Sequence, residues 1–138
     1  MLKNEKILLV DDEIGILTLL EVTLKKEHYT HISRCTNAKQ TIEMVRSHDY
    51  DLIILDVMLP DMNGFELCSL VRSHTNAPII FISASSSDFD KLKGLSVGGD
   101  DYITKPFNPL EVVARMEALF RRQKMYQSQS YLVQENQE

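Results

Sequence analysis

At 138 residues the chain holds about one domain's worth of sequence and has no room for two independent cores. Its 43% hydrophobic and 25% charged residues are ordinary globular composition, which excludes disorder, and two cysteines are too few for a disulfide scaffold. With 15 basic against 20 acidic residues the net charge is −5, which argues against a folded surface that holds nucleic acid by neutralising phosphates.

Short apolar runs alternate with longer amphipathic segments along the chain, the pattern of βα units around a parallel sheet. Residues 7–10 form the first strand, and Ile16, Leu17, Leu20 and Leu24 then make an apolar stripe at helical spacing. Residues 30–35 alternate with polar positions, which suits an edge strand, and a helix follows over 38–47. Residues 52–55 and 79–82 are continuous apolar runs, as expected of central strands covered on both faces, with a helix over 65–73 between them. Ser87, Asp88 and Asp90 open a helix over 88–97 that Gly98 ends. A short strand at 102–104 is assigned from its place in the pattern. The last helix, 109–122, starts with Asn108 as N-cap, Pro109 in the first turn and Glu111 as capping-box partner. Right-handed crossovers make this (βα)5 pattern an open, doubly wound parallel α/β sheet. From Gln123 the composition shifts to Gln, Ser, Tyr and Asn without apolar periodicity. Residues 123–138 therefore read as a linker or tail, in which 131–133 would add a strand only to another element.

Cys35 and Cys68 lie far apart in no CxxC or Cys/His ligand spacing and read as buried thiols in a reducing compartment. His28, His31, His48 and His74 match no metal motif. The first apolar run stops at Asp11, Asp12 and Glu13, too short for a signal-peptide core, and no stretch approaches a membrane span. A cytoplasmic location with no membrane partner is expected.

Four of the five strands end in polar groups that packing does not explain: Asp11 and Asp12, Asp56, Ser83, and Lys105. In a parallel sheet all carboxyl ends share one edge, the edge at which open α/β sheets bind ligands. An acidic pair before a helix can also simply cap it, and an aspartate or serine after a strand can simply start a turn. Three carboxylates drawn together repel one another, which a hard divalent cation relieves; oxygen ligands without histidine or thiolate indicate Mg²⁺ rather than Zn²⁺. Lys105 and Ser83 would complete a phosphate site with a cation and a hydroxyl donor, against the plain readings of solvated charge and turn former. The Lys105–Pro106 bond is of the one type that becomes cis readily, which would aim the amine over the strand ends. Neither GxGxxG nor a P-loop is present, so a nucleotide site is not expected.

Taken together, KILLVDDE, DLIILDVMLPDMNGFEL, PIIFISA and GDDYITKPF resemble the receiver domain of two-component response regulators over residues 6–122. The resemblance implies a flavodoxin-like sheet of strand order 2-1-3-4-5 with a receiver at 1–122. It implies that Asp56 accepts a phosphoryl group from the phosphohistidine of a sensor histidine kinase. Asp12, Asp56 and the Met58 backbone carbonyl would ligate Mg²⁺, Asp11 would assist through water, and Ser83 and Lys105 would contact the phosphoryl group. Ser83 would turn inward on phosphorylation and Tyr102 would fill the space it leaves. Such a chain catalyses its own phosphorylation and dephosphorylation without being a turnover enzyme.

The stretch GGDDYITKPFNPLEVVARMEALFRR is more narrowly similar to the OmpR/PhoB subfamily. That likeness implies a homodimer, formed on phosphorylation through the fourth helix, fifth strand and fifth helix. Lys91, Asp100, Asp101, Glu111 and Arg115 stand at its interface charges. It also implies that DNA is reached through a winged-helix domain outside this chain. Glu117 replaces a usual basic residue, Ser96 a usual acidic one and Gly99 a usual alanine, departures that bear on the strength of the dimer. Two rivals remain on the residues alone. A Mg²⁺-dependent phosphatase with an aspartyl nucleophile would want an acid where Met58 stands, and an interaction module that is never phosphorylated would not need the full set of site residues.

Overall fold

Residues rich in branched apolar side chains and free of helix starts form strands where both faces are covered, and this is how the sheet is built. The computed structural model describes residues 1–136, with side chains through Gln127. The elements are β1 (Lys3–Val10), α1 (Ile14–Lys26), β2 (Tyr29–Cys35), α2 (Ala38–Ser47), β3 (Leu52–Asp56), α3 (Gly64–Val71), β4 (Ile79–Ser83), α4 (Asp88–Ser96), β5 (Asp101–Thr104) and α5 (Pro109–Asn136). The strands are all parallel in the order β2-β1-β3-β4-β5, the expected doubly wound arrangement with β2 at an edge.

Alternate strand residues feed two cores. Ile7, Leu9, Ile54, Ile80 and Ile82 pack with Leu20, Leu24, Val112 and Met116 under α1 and α5. Leu8, Val10, Ile53, Leu55 and Phe81 pack with Val45, Phe65 and Leu67 under α2 and α3. Ile53, Leu55, Ile80 and Phe81 are wholly buried, and each such side chain contributes about 1.5–3 kcal/mol. Both cysteines are buried free thiols in separate elements.

α4 buries only Gly94, and it lies close on β4 because a Cβ at that position would already touch the Phe81 ring at 3.0 Å. A Cβ at Gly99 would press into the same ring and stand 2.8 Å from the Gly94 carbonyl. The glycine found where the resemblance leads one to expect alanine therefore follows from this close approach. Gly98, at φ +110°, ends the helix in a conformation that costs other residues strain.

Three sequence expectations change. β1 begins at Lys3 rather than at Ile7, because its first residues are held by backbone pairing with β2, Lys3 against Tyr29, which needs no apolar pattern. α5 does not end at Arg122. It continues to Asn136, so residues 131–133 are helical and not a strand; Gln, Lys and Met are good helix formers, and no Gly or Pro interrupts the run. Asn108 does cap α5, accepting from the Leu110 N–H at 2.9 Å, but Glu111 closes no capping box and instead pairs with Arg115 at 3.1 Å. No helix among the described residues is long and apolar enough to cross a membrane.

Candidate functional site

The register of the sheet assembles the site. Val10 lies opposite Leu55, so Asp11 and Asp56 leave adjacent strands side by side. Ser83 lies opposite Thr104, which places Ser83 and Lys105 on the next two strand ends. Carboxylate oxygens of Asp11, Asp12 and Asp56 all fall within 4.8 Å of one another. Asp11 and Asp56 are each 3% exposed and Ser83 1%, while Asp12 is open to solvent.

Each buried aspartate divides its two oxygens between turn and site. Asp11 Oδ1 accepts from the Glu13 N–H at 2.9 Å, and Asp56 Oδ1 from the Met58 N–H at 3.1 Å. The other oxygens face one cation: Lys105 Nζ stands 3.0 Å from Asp11 Oδ2 and 3.2 Å from Asp56 Oδ2, with Glu13 Oε1 at 3.7 Å. Neither Asp11 nor Asp12 caps α1, whose N-cap is Glu13; Asp11 instead sets the turn before the helix with one oxygen and faces the cluster with the other. The Lys105–Pro106 bond is cis. The donors here are all oxygen, and an ammonium already bridges two of them, so the corner fits a hard divalent cation. The Met58 side chain is exposed and its carbonyl accepts no hydrogen bond among the described residues.

Burial pushes the Asp56 carboxyl up to about 6 against the Met58 N–H bond, with Asp11 raising it further and Lys105 lowering it. For Lys105, burial disfavours the charged form, but Asp11 and Asp56 outweigh it and raise the ammonium. The folded, metal-free chain therefore holds the Asp56 proton to higher pH than the unfolded chain does. Its contribution to stability falls as pH rises from the ordinary 3.8 through about 6 and stays at its lowest above that. Carboxyl ¹³C spectra of metal-free protein should show Asp56 titrating near pH 6; a midpoint at the ordinary carboxylate value would contradict this environment.

Ser83 Oγ accepts from the Ser85 N–H at 3.1 Å, and the Tyr102 hydroxyl donates to the Ser85 carbonyl at 2.9 Å. Tyr102 is half-buried beside Phe81, on the sheet face opposite Ile103. Ser85, which sequence reasoning missed, therefore links the two switch candidates. Its only sequence signal is its place two residues after Ser83.

Of the five charges expected at an interface, Asp101, Glu111 and Arg115 come together within one chain: Arg115 Nη1 stands 3.1 Å from both Asp101 oxygens and Arg115 Nε 3.1 Å from Glu111. Asp100 is drawn elsewhere, accepting from Arg72 at 3.1 Å and from the Ile79 N–H at 2.8 Å. Lys91 sits apart on α4. Glu117 accepts from Lys3 at 3.0 Å and from the Tyr29 hydroxyl at 3.2 Å, ties that run to the opposite end of the sheet from the site. Also missed was the exposure of the large apolar residues Phe89, Leu92 and Leu95 on α4 and of Leu110 on α5, which single apolar positions in the sequence do not reveal.

A five-stranded receiver sheet with this corner matches a known family. The response regulator receiver domain model covers residues 7–117, and the chain belongs to that family. It is 50% identical over 127 residues to the transcriptional regulatory protein YvrH of Bacillus subtilis, a match covering 92% of this chain and 53% of YvrH. The crystal structure of a two-component response regulator from Clostridium difficile superposes with a TM-score of 0.84 at 32% identity, covering 87% of this chain and 98% of that one. DrrB, described as a Thermotoga maritima OmpR/PhoB homolog, superposes with a TM-score of 0.79 at 30% identity over 88% of this chain and 54% of its own. The chain spans about half the length of the curated relatives it matches.

Proposed function

We propose that this chain is the phospho-accepting receiver of a cytoplasmic response regulator, in which Asp56 takes a phosphoryl group from the phosphohistidine of a sensor histidine kinase. The observation that carries this reading is the Asp56 carboxylate itself: buried, beside two further carboxylates, with its free oxygen turned to Lys105. Asp12, Asp56 and the Met58 carbonyl would hold Mg²⁺ directly, and Asp11 through water. When bound, Mg²⁺ supplies positive charge that offsets the charge on the transferring phosphoryl oxygens.

An Asp56 oxygen bonds to phosphorus as the P–N bond to the donor imidazole breaks. The released electron pair stays on the imidazole nitrogen, which takes up a proton, and the product is an acyl phosphate. Lys105, already 3.2 Å from the acceptor oxygen, pairs with phosphoryl oxygens as they arrive. Ser83 uses a lone pair toward the Ser85 N–H and so keeps its hydroxyl proton for a phosphoryl oxygen. Drawing Ser83 toward the acceptor moves Ser85, whose carbonyl holds the Tyr102 hydroxyl, and the change reaches β5. A phosphoryl contact stronger in one state by about 2.7 kcal/mol shifts the population ratio about a hundredfold.

The readout is a homodimer through α4, β5 and α5, which sets attached DNA-binding domains, outside this chain, in fixed relation. Lys91, Asp100, Asp101, Glu111 and Arg115 stand as its charge set. Because Asp101, Glu111 and Arg115 are already paired within the chain, and Asp100 with Arg72, burial of the exposed apolar residues Phe89, Leu92 and Leu95 of α4 and Leu110 of α5 supplies most of the driving force. Beryllofluoride, an acyl-phosphate mimic, is expected to bind only with Mg²⁺ present and to raise the sedimenting mass about twofold. Binding without a change in mass would contradict the dimer alone, and no binding would contradict the acceptor site.

A further inference from the structure

We infer that Asp61 is a positioning residue of the metal site, which it serves by pinning the β3–α3 loop to the N-terminus of α2. This rests on the reading of the Met58 carbonyl as a metal ligand. Asp61 lies in the loop that carries Met58, yet its carboxylate reaches another element. Oδ1 accepts from the Ala38 N–H at 2.8 Å and Oδ2 from the Lys39 N–H at 3.1 Å. Both are first-turn amides of α2, which have no acceptor inside their own helix. Those bonds hold the Asp61 carboxyl below its usual range, the Ala38 N–H first.

α2 does not depend on Asp61 for its cap. Asn37 already supplies one, its Oδ1 accepting from the Gln40 N–H at 2.8 Å. What the Asp61 bonds add is a fixed path for residues 58–61. On the far side the loop is closed by the Gly64 N–H donating to the Val57 carbonyl at 2.7 Å and by the Met58–Asn63 bridge. Between these anchors the Met58 N–H is committed to Asp56 Oδ1 at 3.1 Å, while its carbonyl accepts no hydrogen bond among the described residues. A carbonyl with no bond of its own is aimed by the chain on either side of it, and Asp61 fixes one of those sides. Groups that orient metal ligands in this way typically change metal affinity 10- to 100-fold when removed.

Mn²⁺ serves as a paramagnetic probe of the site, its free concentration read by electron paramagnetic resonance on the full chain. Asp61→Ala is expected to bind Mn²⁺ about tenfold more weakly than the wild type or worse. Asp61→Asn, which can accept only one of the two bonds with its oxygen, should lose part of that affinity, and it decides the matter if the alanine variant does not fold. Asn37→Ala weakens the same helix start without touching the loop, so it should lower the thermal midpoint and leave Mn²⁺ affinity unchanged. Unchanged affinity in both Asp61 variants would overturn the inference, as would an equal loss in Asn37→Ala. A wild-type chain that fails to bind Mn²⁺ would overturn the metal site and this inference together.

Discussion

Asp56→Asn is expected to abolish Mg²⁺-dependent labelling of the chain by acetyl phosphate. No neighbouring group can take over. Asp11 has one oxygen on the Glu13 N–H and the other on Lys105, Asp12 is solvated, and asparagine has no anionic oxygen to attack phosphorus. The fold should survive, because an asparagine oxygen can still accept from the Met58 N–H and Lys105 keeps Asp11 as a partner. Stability should hold or rise above pH 6, where the buried Asp56 charge is costly in the metal-free chain. Thermal melts at pH 7 to 8 and labelling on the same sample separate the two effects. Undiminished labelling that hydroxylamine removes would place the acyl phosphate on another residue.

The second large effect belongs to Lys105→Ala. Among the described residues the ammonium is the only cation paired with Asp56, and its loss leaves Asp11 and Asp56 facing each other without compensation. Phosphoryl transfer from acetyl phosphate should continue with Mg²⁺ but slow by about a hundredfold or more, the usual cost of deleting one group that stabilises charge at the transferring centre. The variant should also lose the link between phosphorylation and assembly, so that the labelled chain sediments as a monomer. A Lys105→Ala protein that dimerises normally once phosphorylated would remove the lysine from the switch. Loss of cooperative melting would instead show that its pairing with Asp11 holds the strand ends in place.

The gathering of these side chains at one sheet edge could be read from the sequence, while the bonds between them could not. Asp11, Asp56, Ser83 and Lys105 each close an apolar run, and parallel pairing brings run ends together whatever else the chain does. The core was visible for the same reason, since Ile53, Leu55, Ile80 and Phe81 lie in unbroken apolar stretches. Side-chain bonds to distant backbone leave no periodic trace. Nothing about Asp61 announces that it reaches Ala38, or about Asp100 that, while exposed, it binds both the Ile79 N–H at the start of β4 and Arg72 at the end of α3. Glu111 matched a capping box by spacing, but the guanidinium of Arg115, one turn away and also held by Asp101, outcompetes a backbone N–H for its carboxylate. The end of α5 was misplaced because a helix can be carried on by backbone propensity, which leaves no apolar periodicity to read.

Chemical trapping tests directly whether Asp56 forms an acyl phosphate in a Mg²⁺-dependent reaction. The wild-type chain is incubated with acetyl phosphate and Mg²⁺, then reduced with borohydride, which converts an aspartyl phosphate to homoserine, and the peptides are sequenced by mass spectrometry. Homoserine at position 56, absent when Mg²⁺ is chelated, is the expected result. Homoserine at Asp11, Asp12 or elsewhere, or none at all in a chain shown to be folded, would contradict the account.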